Sequence, residues 1–586
     1  MLNLQQEESR SVLLDLCYSV AEKRKIVAAC LYGPLASGYA DERSSLNILL
    51  VLSRFQPMLK TYHKTVSQKD VYVLTVDQRA FRRDVEMGWL GEFVADKLIV
   101  PYEPIINREY LWRQEIAVKK RIIFELLETI ILEFPELSRE LVIKPEYFMY
   151  ETLMQRARLF PPITYRYLNM LRSDLRERNV EKMMKGYKQA LDKLVEENWL
   201  VSIDDHVSVT SKLVRAIKNR KLRIPVVLKS VQRTALLYIV SALPKMLTPL
   251  TYDEQLYTKT QKRATYDEDL PAQLEDPKNY LLMPTPLGSV PLSDKTSIEE
   301  FVKKTMPNIK VSQIETKQIG GVLNSVYLLT LQKDKEQQKV VVKKFRDWVG
   351  FKWFPLALWT VGTKSFAVLG RSRLEREYAL NQFLQCRGVP VPKILYISPK
   401  QSLVFQEFVE GENLVDLIKH VLASPKESEK ELNMIKEGGK TIACAHRLGV
   451  ALGDCKPENI IVAKDGKPFF VDLEQASRDG NQAWDVAEFL YYMGHYVPPL
   501  ASADSAELIA KSFIEGYLKA GGKKETVRKA ASPRYTKVFS IFTQPHVIVA
   551  LSNLCRKMGG QQNLKNRSFA INVVFEKAKR KWARHG

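Results

Sequence analysis

The sequence is poor in cysteine and histidine, with six and seven residues respectively in a chain of 586. The cysteines are Cys17, Cys30, Cys386, Cys444, Cys455 and Cys555. No Cys-x-x-Cys pair occurs, and no group of His and Cys has the spacing of a zinc site. This usage predicts reduced thiols in the core of a cytoplasmic protein.

Long apolar runs are also lacking. No uninterrupted stretch reaches the roughly 18 apolar residues of a membrane-spanning helix. The nearest candidate, residues 348–369, is interrupted by Lys352, Pro355 and Lys364. We interpret it as a buried insertion, and contact with a membrane surface or a partner is the alternative. The N-terminus carries acids where a signal peptide carries bases, so we expect no secretory signal.

Acidic residues are in deficit, with 67 Asp and Glu against 89 Lys and Arg, which gives a net charge of +22. Such an excess favours polyanionic partners: RNA, DNA, a ribonucleoprotein or an anionic membrane surface. A basic surface that only contacts water is the alternative. Charge therefore indicates a class of partner and leaves the reaction open.

The order of apolar patterns predicts a multidomain α+β protein in four parts. Residues 1–140 alternate strand-length apolar runs with a helical pattern, as in a small α/β domain. Residues 145–225 predict three helices and then two short strands, the order of a winged helix. Residues 226–300 form a connecting region. Residues 301–586 predict a bilobal domain with strands first and helices second, which ends in a basic amphipathic helix.

The winged-helix order indicates two possible roles. The third helix of such a domain can read a DNA groove, and the basic segment SKLVRAIKNRKLR that follows suits phosphate contacts. A protein-docking or purely structural module is the alternative. RNA or DNA is therefore a predicted partner through this domain and the basic segments.

Near the N-terminus, the stretch YGPLASGYADERSSLNILLVL resembles the signature of the nucleotidyltransferase fold. Gly33 and Gly38 match the family's glycine turn, but Pro34 replaces its serine and removes a backbone donor. Ser45 and Asn47 stand where the family has two metal-binding aspartates, and neutral side chains give a hard cation too little charge. The resemblance implies a degenerate nucleotidyltransferase-like domain with a binding or scaffolding role. An unrelated α/β domain is the alternative.

A second set of functional candidates begins in the stretch KQIGGVLNSVYLLTL. It predicts a hairpin in which Gly320, Gly321 and Ser325 place backbone N–H groups over phosphates. In KVVVKKF, Lys343 ends a valine-rich strand, and a lysine at that point can reach the phosphates of a nucleotide.

The next candidates follow on a helix and a strand. Glu377 lies on the helix of SRLEREYALNQFL, where it can pair with the strand lysine and orient it; Glu375 is the competing candidate. In SLVFQEFVEGENL, a strand leads to a hinge that contains Glu407 and Val409. Backbone groups of such a hinge commonly bind the edge of an adenine.

The segment LGVALGDCKPENIIVAKDGKPFFVDLEQAS contains the remaining candidates. Asp454 and Asn459 have the Asp-x-x-x-x-Asn spacing of a kinase catalytic loop, with a base or hydroxyl-orienting Asp followed by a Mg²⁺ ligand. Lys456 lies between them and could neutralise a phosphoryl group in transfer. Asp472 ends a later strand, where the kinase pattern has its second metal ligand. Each residue alone could belong to a turn or a helix cap, but their order and spacing together favour the kinase.

Residues 310–500 resemble the atypical protein kinases of the RIO and KEOPS type, within the lineage that includes aminoglycoside kinases. The segments that carry the resemblance are VVVKKF, LEREYALNQFLQCRGVPVPKIL, GDCKPENIIV and FFVDLEQAS. The chain departs from the pattern in its weak glycine-rich loop and in the insertion at residues 348–369. Trp484-Asp485-Val486 matches a helix position that supports the catalytic loop in several of these kinases.

The resemblance implies a role for each candidate. Lys343 would bind ATP phosphates with Glu377 as its anchor, Asp454 would be catalytic, and Asn459 and Asp472 would bind Mg²⁺. In RIO enzymes the metal-binding aspartate can itself accept the phosphoryl group, which would make the reaction an ATPase cycle at Asp472.

Three functions follow as hypotheses. The first is an ATP- and Mg²⁺-dependent atypical serine/threonine protein kinase or ATPase that acts on a protein or a ribonucleoprotein. The second is a small-molecule phosphotransferase of the aminoglycoside-kinase branch. The third is a non-catalytic nucleic-acid-binding scaffold whose kinase fold senses nucleotide.

Overall fold

The structure is a computed structural model. It describes the following residues: 2–42, 44–66, 68–219, 273–305, 314–320, 325–333, 336–347, 367, 369–499 and 501–560. They form two compact units, one from residues 1–283 and 291–293 and the other from residues 284–290 and 294–586. Both units combine helices with sheets, so the protein is of the predicted α+β class. The predicted domain boundaries divide the chain more finely and stay predictions.

The first sheet of the N-terminal unit has five strands in the order β3-β4-β2-β1-β5. The strands are β1 (Ile26–Tyr32), β2 (Leu46–Leu52), β3 (Leu59–Val66), β4 (Lys69–Asp77) and β5 (Tyr102–Ile106). Strands β2 and β4 run parallel, and the other pairs are antiparallel. The continuous apolar runs of β2 and β4 are buried, as expected for strands covered on both faces.

Four helices accompany this sheet: α1 (Leu2–Ala21), α2 (Pro34–Ser37), α3 (Gln78–Met87) and α4 (Arg108–Glu133). The apolar patterns predicted β1, β2, β4 and most of α4. They missed β3, because its sequence LKTYHKTV lies at the sheet edge, where none of its residues is fully buried, and it has no apolar run.

A second sheet of the N-terminal unit contains β9, β6, β8 and β7 in that order. These strands are β6 (Val142–Ile143), β7 (Leu200–Ile203), β8 (His206–Val209) and β9 (Leu281–Met283). The helices are α5 (Glu146–Leu159), α6 (Ile163–Met170), α7 (Arg176–Glu196) and α8 (Ser211–Asn219). Three helices followed by two strands is the order that the sequence predicts, and the winged-helix assignment itself stays a prediction. The pairing of β9 with β6 brings part of the predicted connecting region into this sheet.

The C-terminal unit begins with an antiparallel sheet in the order β11-β12-β13-β15-β14. The sequence up to this sheet contains β10 (Val290–Pro291) and α9 (Ile298–Thr305). The sheet comprises β11 (Ile314–Gly320), β12 (Ser325–Lys333), β13 (Glu336–Lys344), β14 (Ile394–Ser398) and β15 (Leu403–Glu407), and α10 (Gly370–Gln385) lies between β13 and β14 in sequence.

A mainly helical part follows the sheet. Its helices are α11 (Leu414–Ala423), α12 (Glu429–Arg447), α13 (Gln482–Met493), α14 (Asp504–Lys519), α15 (Lys524–Ala530), α16 (Pro533–Phe539) and α17 (Pro545–Met558). Its strands are β16 (Gly411–Asn413), β17 (Val450–Ala451), β18 (Ile460–Ala463), β19 (Pro468–Phe470) and β20 (Ser477–Arg478), which form one sheet β16-β18-β19 and one pair β17-β20. Strands first and helices second is the predicted order.

All six cysteines are free. Four are buried, and burial raises the pKa of Cys17 to about 11. The prediction of core thiols is wrong for Cys386, which is exposed, and for Cys444, which is half-buried. Cys386 lies directly after the end of α10, beyond its last buried residue Leu384, and Cys444 lies on α12 between the buried residues Ala443 and Ala445.

Several sequence predictions fall outside the described residues. They concern Gly321, residues 220–223 of the basic segment, residues 348–366 and 368 of the insertion, and the basic segment 565–586. Among the residues that are described, no helix is both long and apolar enough to cross a bilayer.

Candidate active site

Lys343 lies on β13, in the middle of the first sheet of the C-terminal unit, and its side chain is buried. Its Nζ donates to Glu377 Oε1 at 2.7 Å and to the carbonyl oxygen of Val471. The same Nζ lies 3.6 Å from Asp472 Oδ1. A strand, a helix and a later loop therefore bring one ammonium and two carboxylates to a single point.

Glu377, and not Glu375, is the partner of this lysine. The two residues are two positions apart on α10, so they point to different sides of the helix. Glu375 Oε1 pairs with Arg371 Nε at 3.2 Å, and the Arg371 side chain is 47% exposed. Glu377 is 1% exposed and pairs with Lys343. The structure thus separates the two candidates that the sequence left open.

The segment after β19 is tied to α10 at two further points. Glu377 Oε2 accepts a hydrogen bond from the Leu473 backbone N at 2.6 Å. Arg373, one turn earlier on the helix, is fully buried and pairs with Glu474 Oε1 at 3.2 Å. Helix α10 therefore positions the strand lysine and the Asp472 segment together.

The catalytic-loop candidates are close together. Gly453 has φ of 77°, a left-handed conformation that glycine adopts without steric cost, and it turns the chain directly before Asp454. Asp454 Oδ2 accepts from Lys456 Nζ at 3.1 Å and from Asn459 Nδ2 at 3.0 Å. The Asn459 amide also donates to the Asp454 carbonyl oxygen at 2.9 Å. These contacts fix the Asp454 carboxylate, which stays 19% exposed.

A buried carboxylate of α13 holds this loop in place through backbone hydrogen bonds. Asp485 of α13 is fully buried and accepts from the backbone N of Leu452 at 2.6 Å and of Gly453 at 2.8 Å. His446 Nε2, at the end of α12, lies 2.9 Å from Asp485 Oδ2. Because a carboxylate only accepts, this imidazole nitrogen carries the hydrogen. Asp485 therefore holds the loop and the preceding helix with the same two oxygens.

Glu488, one turn after Asp485, gives a further support. Its Oε2 accepts from the Cys455 backbone N at 2.7 Å and from Trp484 Nε1 at 2.9 Å. The residues immediately before and after Asp454 are thus both hydrogen-bonded to carboxylates of α13. This agrees with the sequence-based role of Trp484-Asp485-Val486 as support for the loop.

Burial and charge act in opposite directions on the site's ionisable groups. Burial lowers the pKa of Lys343, but the negative charges of Asp472 and Glu377 outweigh it, and the pKa is raised. For Lys456, burial is likewise outweighed by Asp454, and the pKa is raised. Burial raises the pKa of Glu377 against the opposing charge of Lys343. Both lysines therefore stay cationic at neutral pH, as groups that bind phosphate must.

The predicted phosphate hairpin is next to Lys343. Strand β11 ends at Gly320 and β12 begins at Ser325, and Val326 pairs with Lys343 across the sheet. The turn between these strands includes Gly321 and is not described. The structure thus places the end of the hairpin beside the lysine.

The predicted hinge lies at the end of β15. Glu407 pairs with Val340 of β13, and its carboxylate accepts from the Lys393 backbone N at 2.8 Å. Val409 is half-buried in the link between β15 and β16. The Glu407 side chain is therefore engaged by the Lys393 backbone. The backbone between β15 and β16 remains as the candidate for binding a base.

The donor set fits a magnesium ion that takes few ligands from the protein. Asp472 offers a carboxylate that is 25% exposed, and Asn459 offers an amide oxygen. Among the described residues, no three His, Cys, Asp or Glu side chains form a metal centre of their own. Mg²⁺ is commonly held by one or two carboxylates, with substrate phosphates and water as its other ligands.

The nucleotidyltransferase-like positions are adjacent in the N-terminal unit. Gly33 precedes α2, and Asn47 of β2 pairs with Tyr32 of β1. A Cβ on Gly33 would lie 3.2 Å from Asn47 Nδ2. Ser45 lies just before the same strand. The family assignment itself stays a prediction.

Sequence reasoning missed several supporting residues, namely Arg373, Glu474, His446 and Glu488. A weak signal was present: the arginine and the glutamate at position 488 fall on otherwise apolar helix faces, where a charged side chain is costly unless it is paired. Their distant partners could not be read from the sequence, because Glu474 lies 101 positions from Arg373 and Cys455 lies 33 positions from Glu488.

Replacing Glu377 tests the lysine anchor. Glu377→Gln removes the charge that holds Lys343, so we expect ATP turnover to fall roughly tenfold or more, about 1.4 kcal/mol of transition-state stabilisation. Glu375→Gln, two positions away on the same helix, is the matched control and should stay within about twofold. Steady-state turnover of the purified variants is the measurement, and equal losses in both would contradict the assignment.

Comparison with known proteins points to the same part of the chain. Residues 331–511, less than a third of the chain, match the lipopolysaccharide kinase (Kdo/WaaP) family. The KEOPS complex subunit Bud32 of Pyrococcus abyssi is 29% identical over 111 residues, which are 19% of this chain and 48% of that protein. The RIO and nucleotidyltransferase resemblances gain no support from these matches.

Two further relatives carry the same name. The "Probable serine/threonine-protein kinase BUD32 homolog" of Archaeoglobus fulgidus is 28% identical over 24% of this chain and 64% of its own length. The EKC/KEOPS complex subunit BUD32 of Yarrowia lipolytica is 27% identical over 29% and 74%. The chain thus spans about half of the first of these three relatives and under two thirds of the second. These matches support a domain of the protein kinase-like superfamily within the C-terminal unit, and they support a phosphotransferase.

Proposed function

We propose that this protein is an ATP- and Mg²⁺-dependent atypical serine/threonine protein kinase or ATPase. The observation that carries the proposal is the convergence of Lys343 on Glu377 at 2.7 Å and on Asp472 at 3.6 Å. A structural ion pair needs only one partner, whereas a lysine beside one buried and one part-exposed carboxylate suits a phosphate–metal site.

In this proposal each residue has a distinct task. Lys343 binds the phosphates, and Glu377 keeps it in place. Asp454 orients the attacking hydroxyl and accepts its proton. Lys456 neutralises charge that develops on the transferring phosphoryl group. Asn459 and Asp472 hold Mg²⁺, which when bound neutralises the charge of the phosphate oxygens.

The target that we propose is a protein or a ribonucleoprotein. The Bud32 relatives from Pyrococcus abyssi and Yarrowia lipolytica are named as subunits of a KEOPS complex, so those two proteins work in an assembly. A net charge of +22 favours an assembly that includes RNA or another polyanion. The cytoplasm is the compartment that we expect, since all six cysteines are free thiols.

A small-molecule phosphotransferase is the second candidate, and the Kdo/WaaP match favours it. Members of that family are named as lipopolysaccharide kinases, so a saccharide acceptor is the form that this candidate takes. Asp454, Asn459 and Lys343 would keep their tasks, because the chemistry on the ATP side does not depend on the acceptor.

The test is transfer from ATP labelled in the γ-phosphate, with the full chain and Mg²⁺. We expect phosphate release or transfer, and its loss when EDTA removes the metal. Incubation with a cell extract and with a saccharide panel separates the two candidate acceptors by the size of the labelled product. Nucleotide binding without phosphate release or phosphoryl transfer would contradict both candidate activities. The remaining hypothesis would then be the nucleotide-sensing scaffold.

A further inference from the structure

A second concave surface lies in the N-terminal unit, at the edge of the first sheet where two parallel strands end. Strands β2 and β4 are in register, with Leu52 paired to Asp77, so their carboxyl ends meet at this edge. The cavity is about 450 Å³. Its lining residues follow these two strands: Arg54, Phe55, Gln56, Met58, Asp77, Arg79, Ala80, Arg83 and Trp89. Ligands of α/β sheets commonly bind beyond the carboxyl ends of parallel strands.

This cavity is separate from the nucleotidyltransferase-like positions. Asn47 lies near the beginning of β2 and pairs with Tyr32 at the end of the antiparallel β1. Leu52, at the other end of β2, adjoins the cavity. The two places are therefore at opposite edges of the same sheet, and a ligand in the cavity has no part in the glycine turn at Gly33.

The cavity carries uncompensated positive charge. Its lining includes three arginines, and Asp77 is the single acid among the lining residues. The Asp77 carboxylate already accepts from the backbone N of Phe55 at 2.9 Å, of Arg79 at 2.9 Å and of Ala80 at 3.4 Å. Within the part of the chain that the structure describes, the guanidinium groups of the three arginines form no ion pair. An anionic ligand would therefore neutralise the positive charge of the cavity.

The cavity also offers an exposed aromatic ring. Trp89 is 40% exposed, and the Arg83 guanidinium carbon lies 5.7 Å from the centroid of its ring. Met58, in the connection between β2 and β3, is 48% exposed. A planar, unsaturated group that carries an anion could contact both the Trp89 ring and the arginines. Indole and guanidinium planes stack on nucleobases, and guanidinium binds phosphate.

We propose that this cavity binds a single nucleotide unit, with the phosphate on Arg54, Arg79 and Arg83 and the base against Trp89. The volume is near the lower end of small-ligand sites, which suits one nucleotide and excludes a duplex. The unit belongs either to a single-stranded nucleic acid or to a free nucleotide, which present the same chemistry. The winged-helix region and the kinase site are not involved.

The test measures binding of a fluorescein-labelled tetrauridylate to the full chain by fluorescence anisotropy. Arg83→Gln should weaken binding roughly tenfold and make the dependence on salt shallower by about 0.7 for a lost phosphate contact. Arg82→Gln makes the same change in charge on the same helix outside the cavity, and it should stay within about twofold. ATP turnover should be unchanged in both variants, so a failure of the kinase proposal is distinguishable from a failure here.

The aromatic contact has its own variants. Trp89→Ala should weaken tetrauridylate binding roughly tenfold, and Trp89→Phe should retain most of it, because phenylalanine keeps a stacking face. Competition by UMP at a similar concentration would identify a free nucleotide as the ligand, and resistance to UMP would identify single-stranded nucleic acid. Equal binding by Arg83→Gln and Arg82→Gln would overturn the proposal. So would full competition by inorganic phosphate together with normal binding by Trp89→Ala.

Discussion

Asp454→Asn is expected to lower phosphoryl transfer by about 10²- to 10⁴-fold, the range for loss of a general base. The asparagine keeps the shape of the side chain and can still contact Lys456 and Asn459, whose nitrogens lie 3.1 and 3.0 Å from Asp454 Oδ2. It cannot accept a proton from a hydroxyl. The loss should therefore appear in kcat, while the thermal stabilisation by MgATP stays near that of the wild type.

Asp465→Asn is the matched control for this prediction. Asp465 is an exposed aspartate in the turn between β18 and β19, and it pairs with Lys467 at the surface. Its replacement should change turnover by less than about twofold. Turnover of Asp454→Asn equal to that of the wild type would remove the catalytic assignment, whatever the effect of the control.

Asp485→Asn is expected to cost both stability and activity. Asp485 Oδ1 accepts one backbone N–H, and Oδ2 accepts another and the His446 ring N–H. In asparagine, one of these oxygens becomes an NH₂ group that faces a donor in either orientation. A buried donor left without an acceptor costs about 1–3 kcal/mol, so we expect a lower free energy of unfolding by that amount.

The activity of Asp485→Asn should fall by more than the stability change explains. Leu452 and Gly453, which Asp485 holds, directly precede Asp454. A displacement of about 1 Å at a catalytic group can lower the rate about 100-fold. Turnover measured well below the unfolding midpoint separates the two effects. Asp504→Asn, at the exposed start of α14, is the control, and normal turnover in Asp485→Asn would contradict this positioning role.

The site could be predicted from sequence where the signal is local. Spacing within one loop made Asp454 and Asn459 candidates, and strand-end position made Lys343 a candidate; their roles stay predictions. The choice between Glu375 and Glu377 could not be made, because tertiary packing decides which side of the helix faces Lys343. The structure makes that choice through the 2.7 Å contact with Lys343.

Long-range pairs escaped prediction for a physical reason. Arg373 and Glu474 are both buried and lie 101 positions apart in the chain. A buried charged side chain predicts that it has an ion-pair partner. The sequence does not identify that partner, because many distant residues of opposite charge are equally possible. The same holds for His446, whose two ring nitrogens contact Asp485 and Tyr517. The edge strand β3 was missed because its exposed side chains have no apolar alternation.

The linkage of α10 to two separate elements has a consequence for control. Its Glu377 contacts the lysine of β13 with one oxygen and the Leu473 amide with the other. A rotation of the helix would break both bonds at once, and Arg373 would leave Glu474 in the same movement. A partner that rotated this helix would therefore release the lysine and the segment after β19 together.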